Sequence, residues 1–334
     1  MRGVFLFAST AAVAANPVAG AVDEFEVFVA KFRKEYASVE ERARRMLIFI
    51  GHLEQVRHHN AQNTDYALEI NEFADMSSEE FGATHLGYQR RGLGSAAPSL
   101  GVHTFSGVEL PAAVDWVSAG SVTAPKNQGQ CGSCWSFSTT GAIEGAWKSA
   151  SGKLESLSEQ QLIDCAGSYG NNGCGGGLMD NAFKYLEQAG LCSESSDPYQ
   201  GKQGQCGSCT VAVPKGAVTG FKDVQSGDEK ALMEALSKQP VSVAIQANQP
   251  AFQLYSKGVM TGTCGDQLDH GVLAVGYGES KGIKYWKVKN SWGASWGMDG
   301  YILLQRGAPG EPNGKCGILA EPSFPIVKSG DIMV

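Results

Sequence analysis

The positions of the cysteines constrain the fold of this chain more than any other feature. All nine cysteines lie between Cys131 and Cys316, and the N-terminal third has none. Nine is an odd number, so an exported chain of this kind is expected to form four disulfides and to keep one free thiol. The asymmetry predicts two folding units, of which only the second is cross-linked for conditions outside the cell.

The N-terminus predicts export. Arg2 precedes an apolar stretch over residues 4–15, and small-residue sites follow at residues 12–14 and 19–21. This order is typical of a secretory signal peptide, here residues 1–21, and the stretch is too short to span a bilayer comfortably. An apolar tail is the alternative interpretation. No later segment is long enough for a membrane span, so the secretory pathway is expected to lead to a lysosome or vacuole, or to the extracellular space.

Residues 22–109 differ in character from the rest of the chain. Apolar residues at helical spacing predict a helix over residues 23–36, and a capping box at Ser38 opens a second, longer helix. A short strand is expected over residues 66–73. Gly, Ser and Ala dominate residues 87–107, which predicts an exposed linker.

Histidine usage separates the two units further. Five of the six histidines precede residue 110, and His270 is the sole histidine after it. A zinc site built from several imidazoles is therefore out of reach for the second unit, and no metal or cofactor is expected. The net charge of −7 and the lack of a Lys/Arg run argue against a nucleic-acid partner. Acid–base chemistry near neutral pH has one candidate histidine in this unit.

The heptapeptide Gln-Gly-Gln-Cys-Gly-Ser-Cys occurs twice, ending at Cys134 and at Cys209. Apolar residues at helical spacing follow Cys134 as far as Gly152, whereas an extended Thr-Val-Ala-Val-Pro segment follows Cys209. A thiol at a helix N-terminus ionises more readily, so Cys134 is predicted to be the reactive cysteine. A redox dithiol would need a preceding βαβ unit, and a zinc ribbon would need the two copies closer together, so both alternatives are weaker.

Dispersed motifs extend this interpretation along the chain. They are residues 128–135, Asp269-His270-Gly271-Val272, Lys289-Asn290-Ser291-Trp292-Gly293 with Trp296-Gly297, Cys174-Gly-Gly-Gly-Leu-Met, and Leu110-Pro111. Together they resemble the papain family of cysteine peptidases, in its cathepsin L-like subgroup. The resemblance implies an α+β fold with two lobes, one helical and one an antiparallel, β-barrel-like lobe. A helical inhibitory propeptide over residues 22–109 would precede a mature peptidase domain over residues 110–334.

Local patterns within the second unit agree with this division into lobes. Helices are expected over residues 134–152, 158–165 and 178–188, and strands over residues 241–247, 271–277, 283–288 and 301–305. Because the nucleophile is in the helical half and the histidine in the β-rich half, the active-site cleft is expected between them.

The first unit resembles the inhibitory propeptide of this family. The matching residues are Glu41, Arg45, Phe49, Val56 and Asn60 on the long helix, followed by Asn71, Phe73 and Asp75. Three positions depart from the family pattern: His52 stands where asparagine is usual, Val56 replaces isoleucine, and Glu69 stands where glycine is common. The resemblance implies that the precursor is inhibited by its own propeptide.

The resemblance also assigns the catalytic roles. The Cys134 thiolate is the expected nucleophile, and His270 as imidazolium stabilises it before donating a proton to the leaving amine. Asn290 is expected to orient the His270 ring. The Gln128 side-chain amide and the Cys134 backbone N–H would stabilise the oxyanion. Trp292 is expected to cover the contact between Asn290 and His270.

An extended polypeptide is the expected substrate. Gly176 and Gly177 lack side chains, so a substrate backbone can approach and hydrogen-bond there. Relatives that remove dipeptides use an extra loop that carries a pair of histidines, and the second unit of this chain has only His270. The resemblance therefore implies an endopeptidase. Glu321 at the floor of the main pocket either pairs with Arg or Lys or turns to solvent. The resemblance places that pocket, whose apolar walls favour Leu or Phe, at Leu178, Met179, Ala244, Leu268 and Glu321.

Disulfides and partners follow from the same resemblance. The resemblance implies three disulfides, Cys131–Cys174, Cys165–Cys206 and Cys264–Cys316. Cys192 and Cys209 then remain, and they form either a fourth disulfide or two free, buried thiols. Polypeptide substrates, the chain's own propeptide and cystatin-like protein inhibitors are the expected partners of a monomeric enzyme. A peptide ligase with the same residues and a catalytically silent binding protein remain alternative functions.

A pH trigger is predicted on the long propeptide helix. If His52, His58 and His59 are buried in the neutral form, acidification loosens the propeptide. Protonation of carboxylates such as Asp75 is the competing trigger, and histidines that are exposed would have no effect.

Overall fold

The computed structural model describes residues 17–62, 65–90 and 99–328. Residues 1–16, most of the predicted signal peptide, lie outside this part. The helices are α1 (Pro17–Phe32), α2 (Val39–Ala61), α3 (Ser78–His85), α4 (Cys134–Ser151), α5 (Glu159–Cys165), α6 (Met179–Leu186), α7 (Glu229–Leu236) and α8 (Pro250–Gln253). The strands are β1 (Tyr66–Leu68), β2 (Val102–His103), β3 (Val114–Asp115), β4 (Leu191–Cys192), β5 (Val211–Val213), β6 (Val218–Val224), β7 (Val241–Ile245), β8 (Tyr255–Met260), β9 (His270–Ser280), β10 (Ile283–Lys289), β11 (Tyr301–Gln305) and β12 (Ser323–Val327).

The first two helices belong to the precursor segment and pack against each other. α1 begins at Pro17, before its predicted start, and ends where Arg33 adopts a left-handed φ of 51°. α2 begins after Ser38, whose Oγ accepts the Glu41 N–H at 3.1 Å. The predicted capping box is incomplete, because the Glu41 carboxylate accepts the N–H of Ala37. Across the described residues, no helix is both long and apolar enough to cross a membrane.

α4 is the central helix of the helical lobe. It is buried along most of its length and ends at Gly152, whose φ of 76° is left-handed. α5 begins after Ser158, whose Oγ accepts the Gln161 N–H at 3.0 Å. Apolar side chains of α4, α5 and α6 form one hydrophobic cluster that also contains Cys134. The nucleophile candidate therefore begins a helix that packing holds rigidly.

The second lobe is built on a ten-stranded sheet in the order β1-β8-β11-β10-β9-β7-β12-β6-β2, with β3 paired to β9. Most pairs are antiparallel, as expected, but β8 with β11 and β2 with β6 are parallel. Sequence patterns predict β7, β9, β10 and β11. They miss β6, β8 and β12, because Gly220, Gly258 and Pro325 interrupt the apolar pattern of these strands.

Two strands from before residue 110 close both ends of this sheet. β1 pairs with β8 at one end, and β2 pairs with β6 at the other. The prediction of an exposed linker over residues 87–107 is therefore wrong at its start, where Tyr88 is buried, whereas most of residues 99–107 are exposed as predicted although they pair with the sheet. The start of this segment lies in the cleft against Gly177, and its later part runs along β6. Residues 91–98 lie outside the described part of the chain. Segments rich in Gly and Ser show no periodicity, yet their backbone can still pair with a sheet or a cleft.

Four disulfides cross-link the catalytic unit and leave Cys134 as the free, buried cysteine. Cys192 is bonded to Cys209, so the structure contains the fourth bridge and not two free thiols. The other three bridges are Cys131–Cys174, Cys165–Cys206 and Cys264–Cys316.

Candidate active site

The thiol of Cys134 lies at the point where the two lobes meet. Cys134 is the first residue of α4, and its side chain is fully buried. The sulfur accepts the backbone N–H of Gly271 at 3.3 Å. Because Gly271 follows His270 at the start of β9, this contact brings the predicted nucleophile beside the predicted histidine.

The His270 ring is held on one face and at one nitrogen. Its Nε2 lies 2.8 Å from Oδ1 of Asn290, and the Trp292 indole stacks on the ring at a centroid distance of 4.8 Å. Oδ1 of Asn290 also accepts the backbone N–H of Ser291, which identifies this atom as an acceptor and places the proton on Nε2. Nδ1 of His270 has no hydrogen-bond partner among the described residues. That nitrogen is therefore available for proton transfer.

Gln128 is oriented by Ser291, a residue that the sequence-based prediction did not assign. The Ser291 hydroxyl donates to Oε1 of Gln128 at 2.6 Å, and the Gln128 N–H donates to the Ser291 carbonyl at 2.8 Å. The Gln128 amide then donates to the carbonyls of Cys131, at 2.8 Å, and His85, at 3.0 Å. A precursor carbonyl thus occupies the donor expected to stabilise an oxyanion.

Extended precursor backbone lies on the glycine pair predicted to bind substrate. The Gly177 N–H donates to the Gly87 carbonyl at 2.9 Å, and the Gln89 N–H donates to the Gly177 carbonyl at 3.1 Å. Gly176 has a φ of +107°, and a Cβ there would lie 2.6 Å from the Gly87 carbonyl oxygen. Gly176 is therefore needed for backbone to approach this closely, whereas a Cβ at Gly177 would lie 2.5 Å from Oδ1 of Asn171.

Tyr88 fills the predicted specificity pocket. Its hydroxyl donates to Oε2 of Glu321 at 2.5 Å, and Nε of Arg90 lies 3.8 Å from Oε1 of the same carboxylate. Glu321 therefore faces the pocket rather than solvent. One hydrophobic cluster contains the ring of Tyr88 together with Leu178, Met179, Ala244 and Leu268.

Comparison with known proteins identifies the family. The family model of papain family cysteine proteases matches residues 110–326, and that of the cathepsin propeptide inhibitor domain (I29) matches residues 25–81. The chain belongs to the papain family of cysteine proteases.

Relatives and solved structures agree with this assignment. Cysteine protease XCP2 of Arabidopsis thaliana is 46% identical over 310 residues, which cover 91% of this chain and 86% of that protein. Cysteine endopeptidase RepA of Oryza sativa subsp. japonica is 45% identical over 300 residues, which cover 87% of this chain and 79% of that protein. The proform of the ragweed pollen allergen Amb a 11 superimposes with a TM-score of 0.83 at 38% identity, covering 93% of this chain and 96% of that one. The recombinant stem bromelain precursor superimposes with a TM-score of 0.82 at 38% sequence identity. The match covers 93% of this chain and 100% of that one.

This papain-family chain is therefore the zymogen of a cysteine endopeptidase. It has the expected α+β fold, and an inhibitor domain of the propeptide type precedes the protease domain. The relatives are named as proteases and endopeptidases, which does not favour the ligase or the silent binding protein.

Burial under the propeptide changes the charge state of the papain-type site. Burial raises the pKa of the Cys134 thiol to about 12. Burial, opposed by the hydrogen bond to Asn290 and aided by the neighbouring His85, lowers the pKa of His270 to about 4. Both groups are uncharged at neutral pH in the precursor. The expected thiolate–imidazolium pair is not the state of the zymogen, because neither charge would be solvated there.

The propeptide histidines differ from the predicted trigger. His52 is buried, its Nδ1 lies 2.9 Å from the Ala74 carbonyl, and burial lowers its pKa. His58 is exposed, so the condition for the trigger is not met there, and His59 is only partly buried. His85, which the prediction left out, is buried at the cleft, and burial lowers its pKa to about 4.

Besides Ser291, the sequence-based prediction missed His85, Gly87 and Tyr88 of the precursor segment. A signal for them existed, because Ser77 and Glu80 form a complete capping box that opens α3 and so leads to His85. Among the described residues, no three His, Cys, Asp or Glu side chains converge where a metal ion could bind.

Proposed function

We propose that the activated enzyme cleaves extended polypeptides through Cys134 and His270, with Asn290 and Gln128 in supporting roles. Departure of the propeptide admits water to the cleft and removes the burial that disfavours both charges. The thiol proton then moves to Nδ1 of His270, which has no other partner among the described residues. Asn290 holds Nε2, so the ring keeps its orientation during this transfer.

The reaction proceeds through an acyl-enzyme. The Cys134 thiolate attacks the scissile carbonyl carbon, and the carbonyl electron pair moves to the oxygen, to which the Gln128 amide and the Cys134 N–H donate. The C–N bond then breaks, and His270 gives its proton to the leaving amine. Neutral His270 next takes a proton from water, which attacks the thioester and releases the acid and the thiol.

The position of the His85 carbonyl is the observation that carries this proposal. Its oxygen accepts from the Gln128 amide at 3.0 Å. Two residues later, the Gly87 carbonyl accepts the Gly177 N–H at 2.9 Å, and the Gly87 backbone lies near enough to the Cys134 thiol to affect its pKa. A peptide carbonyl therefore fits at the oxyanion donor while extended backbone fits beside the thiol, as a bound substrate requires.

The main pocket is expected to accept Leu, Phe and Tyr side chains. Tyr88 supports this expectation, because its ring contacts the apolar walls while its hydroxyl donates to Glu321 at 2.5 Å. The same carboxylate lies 3.8 Å from Arg90, so we also expect Arg in the pocket to be accepted.

We further propose passage through the secretory pathway to a vacuole or lysosome, or to the extracellular space. Four disulfides require an oxidising compartment, and one relative at 45% identity is named a KDEL-tailed cysteine endopeptidase. The catalytic domain is proposed to start near Leu110, where the protease family match begins. It would act as a monomer, and its opened cleft would accept cystatin-like inhibitors.

The test compares two cysteine variants of the precursor, each activated by an added protease at acidic pH. Cys134→Ala should lower turnover of a peptide substrate by about 10⁵-fold or more. The control variant, Cys192→Ala with Cys209→Ala, removes a disulfide from the duplicate heptapeptide and should keep turnover per folded molecule. Substantial turnover by Cys134→Ala would overturn the assignment of the nucleophile.

A further inference from the structure

The segment Ser99–Ser106 lies on the catalytic domain as part of its sheet. Its strand β2 runs parallel to β6 at one end of the sheet order. The Leu100 N–H donates to the Phe221 carbonyl at 3.1 Å. The N–H groups of Asp223 and Gln225 donate to this segment's carbonyls at 3.2 and 2.9 Å. Without this segment, β6 would expose these donors at an open sheet edge.

Side chains anchor the end of the same segment. The N–H and the hydroxyl of Ser106 donate to the two oxygens of Glu234, at 2.8 and 2.9 Å. Glu234 lies on α7 and is 3% exposed. Phe105 packs against the large hydrophobic cluster, and the Lys230 ammonium lies 5.6 Å from its ring centre. The His103 ring meets Phe324 edge-on at 5.7 Å.

These contacts satisfy groups that belong to the catalytic domain. Within the described residues, every hydrogen bond recorded from this segment goes to residues 217–237 of that domain. If the segment left, Glu234 would keep Lys238 as its charged partner but lose two donors from Ser106. A buried carboxylate that loses donors is destabilising, so departure of the segment has a cost that departure of α1 and α2 does not share.

The same backbone hydrogen bonds bear on where a protease can cut the precursor. A protease binds its substrate as extended backbone with free N–H and C=O groups. In this segment the Leu100 N–H and the carbonyls of Gly101 and His103 are already bonded to the catalytic domain. Gly107, Val108 and Glu109 are exposed, by contrast, and present no paired strand. A cut before Leu110 can therefore separate the segment covalently without displacing it.

We propose that Ser99–Ser106 stays on the catalytic domain after activation, as the outermost strand of the active enzyme. The β6 edge together with Glu234 is then a peptide-binding site separate from the active-site cleft, and this chain's own segment is its occupant. The inference rests on the proposed activation only in that the precursor must be cut before the segment can be tested.

Hydrogen exchange in the activated enzyme tests the proposal. The precursor is activated at acidic pH, with an added protease if it does not process itself, and the active enzyme is isolated by gel filtration without denaturant. Turnover of a peptide substrate reports on the proposed function independently. The amides of Asp223 and Gln225 should exchange as slowly as in the precursor. Mass spectrometry after denaturation should find one copy of residues 99–106 per active site, joined to the domain or as a free peptide.

Two variants sharpen the readout. Phe105→Ala with Ser106→Ala should accelerate exchange of the Gln225 amide by about 100-fold, because the Ser106 hydroxyl bond to the Glu234 carboxylate and the packing of Phe105 are both lost. Val102→Ala, whose side chain is half exposed, should leave the rate within about 2-fold. Active enzyme that lacks residues 99–106, with rapid exchange at Asp223 and Gln225, would overturn the proposal.

Discussion

The catalytic unit and the precursor unit are held together by different kinds of interaction. The catalytic unit contains all nine cysteines and four disulfides. The precursor unit relies on ion pairs, such as Lys34 with Asp75 at 2.9 Å, and on aromatic contacts. Among the latter, the Phe81 ring meets Trp292 edge-on at 4.8 Å. Acidification or cleavage of the chain can break the ion pairs and aromatic contacts of the precursor unit, but both leave the disulfides intact.

This difference separates inhibition from stability. The propeptide can leave the cleft while the disulfides preserve the fold around Cys134. Inhibition depends on a short run, His85 to Tyr88, that occupies the oxyanion donor, the glycine pair and the main pocket. Changes in that run are expected to alter latency without altering the active enzyme that is finally released.

The largest effect is expected from Gly87→Ala in the precursor. A Cβ at this position would lie 2.0 Å from the Gly132 carbonyl oxygen, so the cleft segment must shift away from the thiol. Such overpacking typically costs about 1–3 kcal/mol, which corresponds to inhibition up to about 100-fold weaker. The measurement is peptidase activity of the uncut precursor at neutral pH.

Gly82→Ala is the matched control for this change. The nearest atom to its added Cβ is Cδ1 of Leu86 at 3.7 Å, an ordinary contact. This helical variant should inhibit at least as well as the wild type, because alanine stabilises a helix relative to glycine. Equal latency for Gly87→Ala and Gly82→Ala would refute the role of the cleft segment.

The next effect concerns the pH of activation. Burial holds the pKa of His85 at about 4, below the value of roughly 6.5 in an unfolded chain, and Lys34 contributes to the same direction. The neutral ring therefore stabilises the bound propeptide above pH ~6.5. This stabilisation is lost as the pH falls toward 4, at about 1.4 kcal/mol of binding free energy per pH unit. His85→Gln cannot titrate, so its activation midpoint should lie about one unit lower.

His58→Gln provides the control, because His58 is exposed on the same precursor unit. Its midpoint for autoprocessing should match that of the wild type. If His85→Gln also matches the wild type, the trigger lies with His52 or with carboxylates such as Asp75, and the proposed role of His85 is wrong.

The smallest effect is expected on substrate choice. Glu321 accepts the Tyr88 hydroxyl and lies near Arg90, so its charge should favour Arg in the main pocket of the active enzyme. Glu321→Gln should lower kcat/KM for an Arg substrate relative to a Leu substrate by about 10-fold. An unchanged ratio would mean that the carboxylate does not take part in substrate choice.

Local signals in the sequence predicted the catalytic side of this comparison well. The helix after Cys134 has apolar periodicity, and the strand at His270 is a continuous apolar run. The contacts of the precursor unit with the cleft were harder to predict, because they join residues that lie far apart in the sequence. Tyr88 reaches Glu321 across 233 positions, and no pattern within residues 87–107 indicates that contact. The raised pKa of Cys134 also depends on the folded structure, since burial causes it.

The central claim is that Cys134 is the nucleophile and that the propeptide keeps it covered and uncharged. The most direct test is labelling with a thiol-reactive peptide epoxide, followed by peptide mapping, before and after activation. The account predicts no label on the intact precursor at neutral pH and stoichiometric label on Cys134 alone in the activated enzyme. Label at any other residue, or equal labelling of Cys134 in the intact precursor, would contradict it.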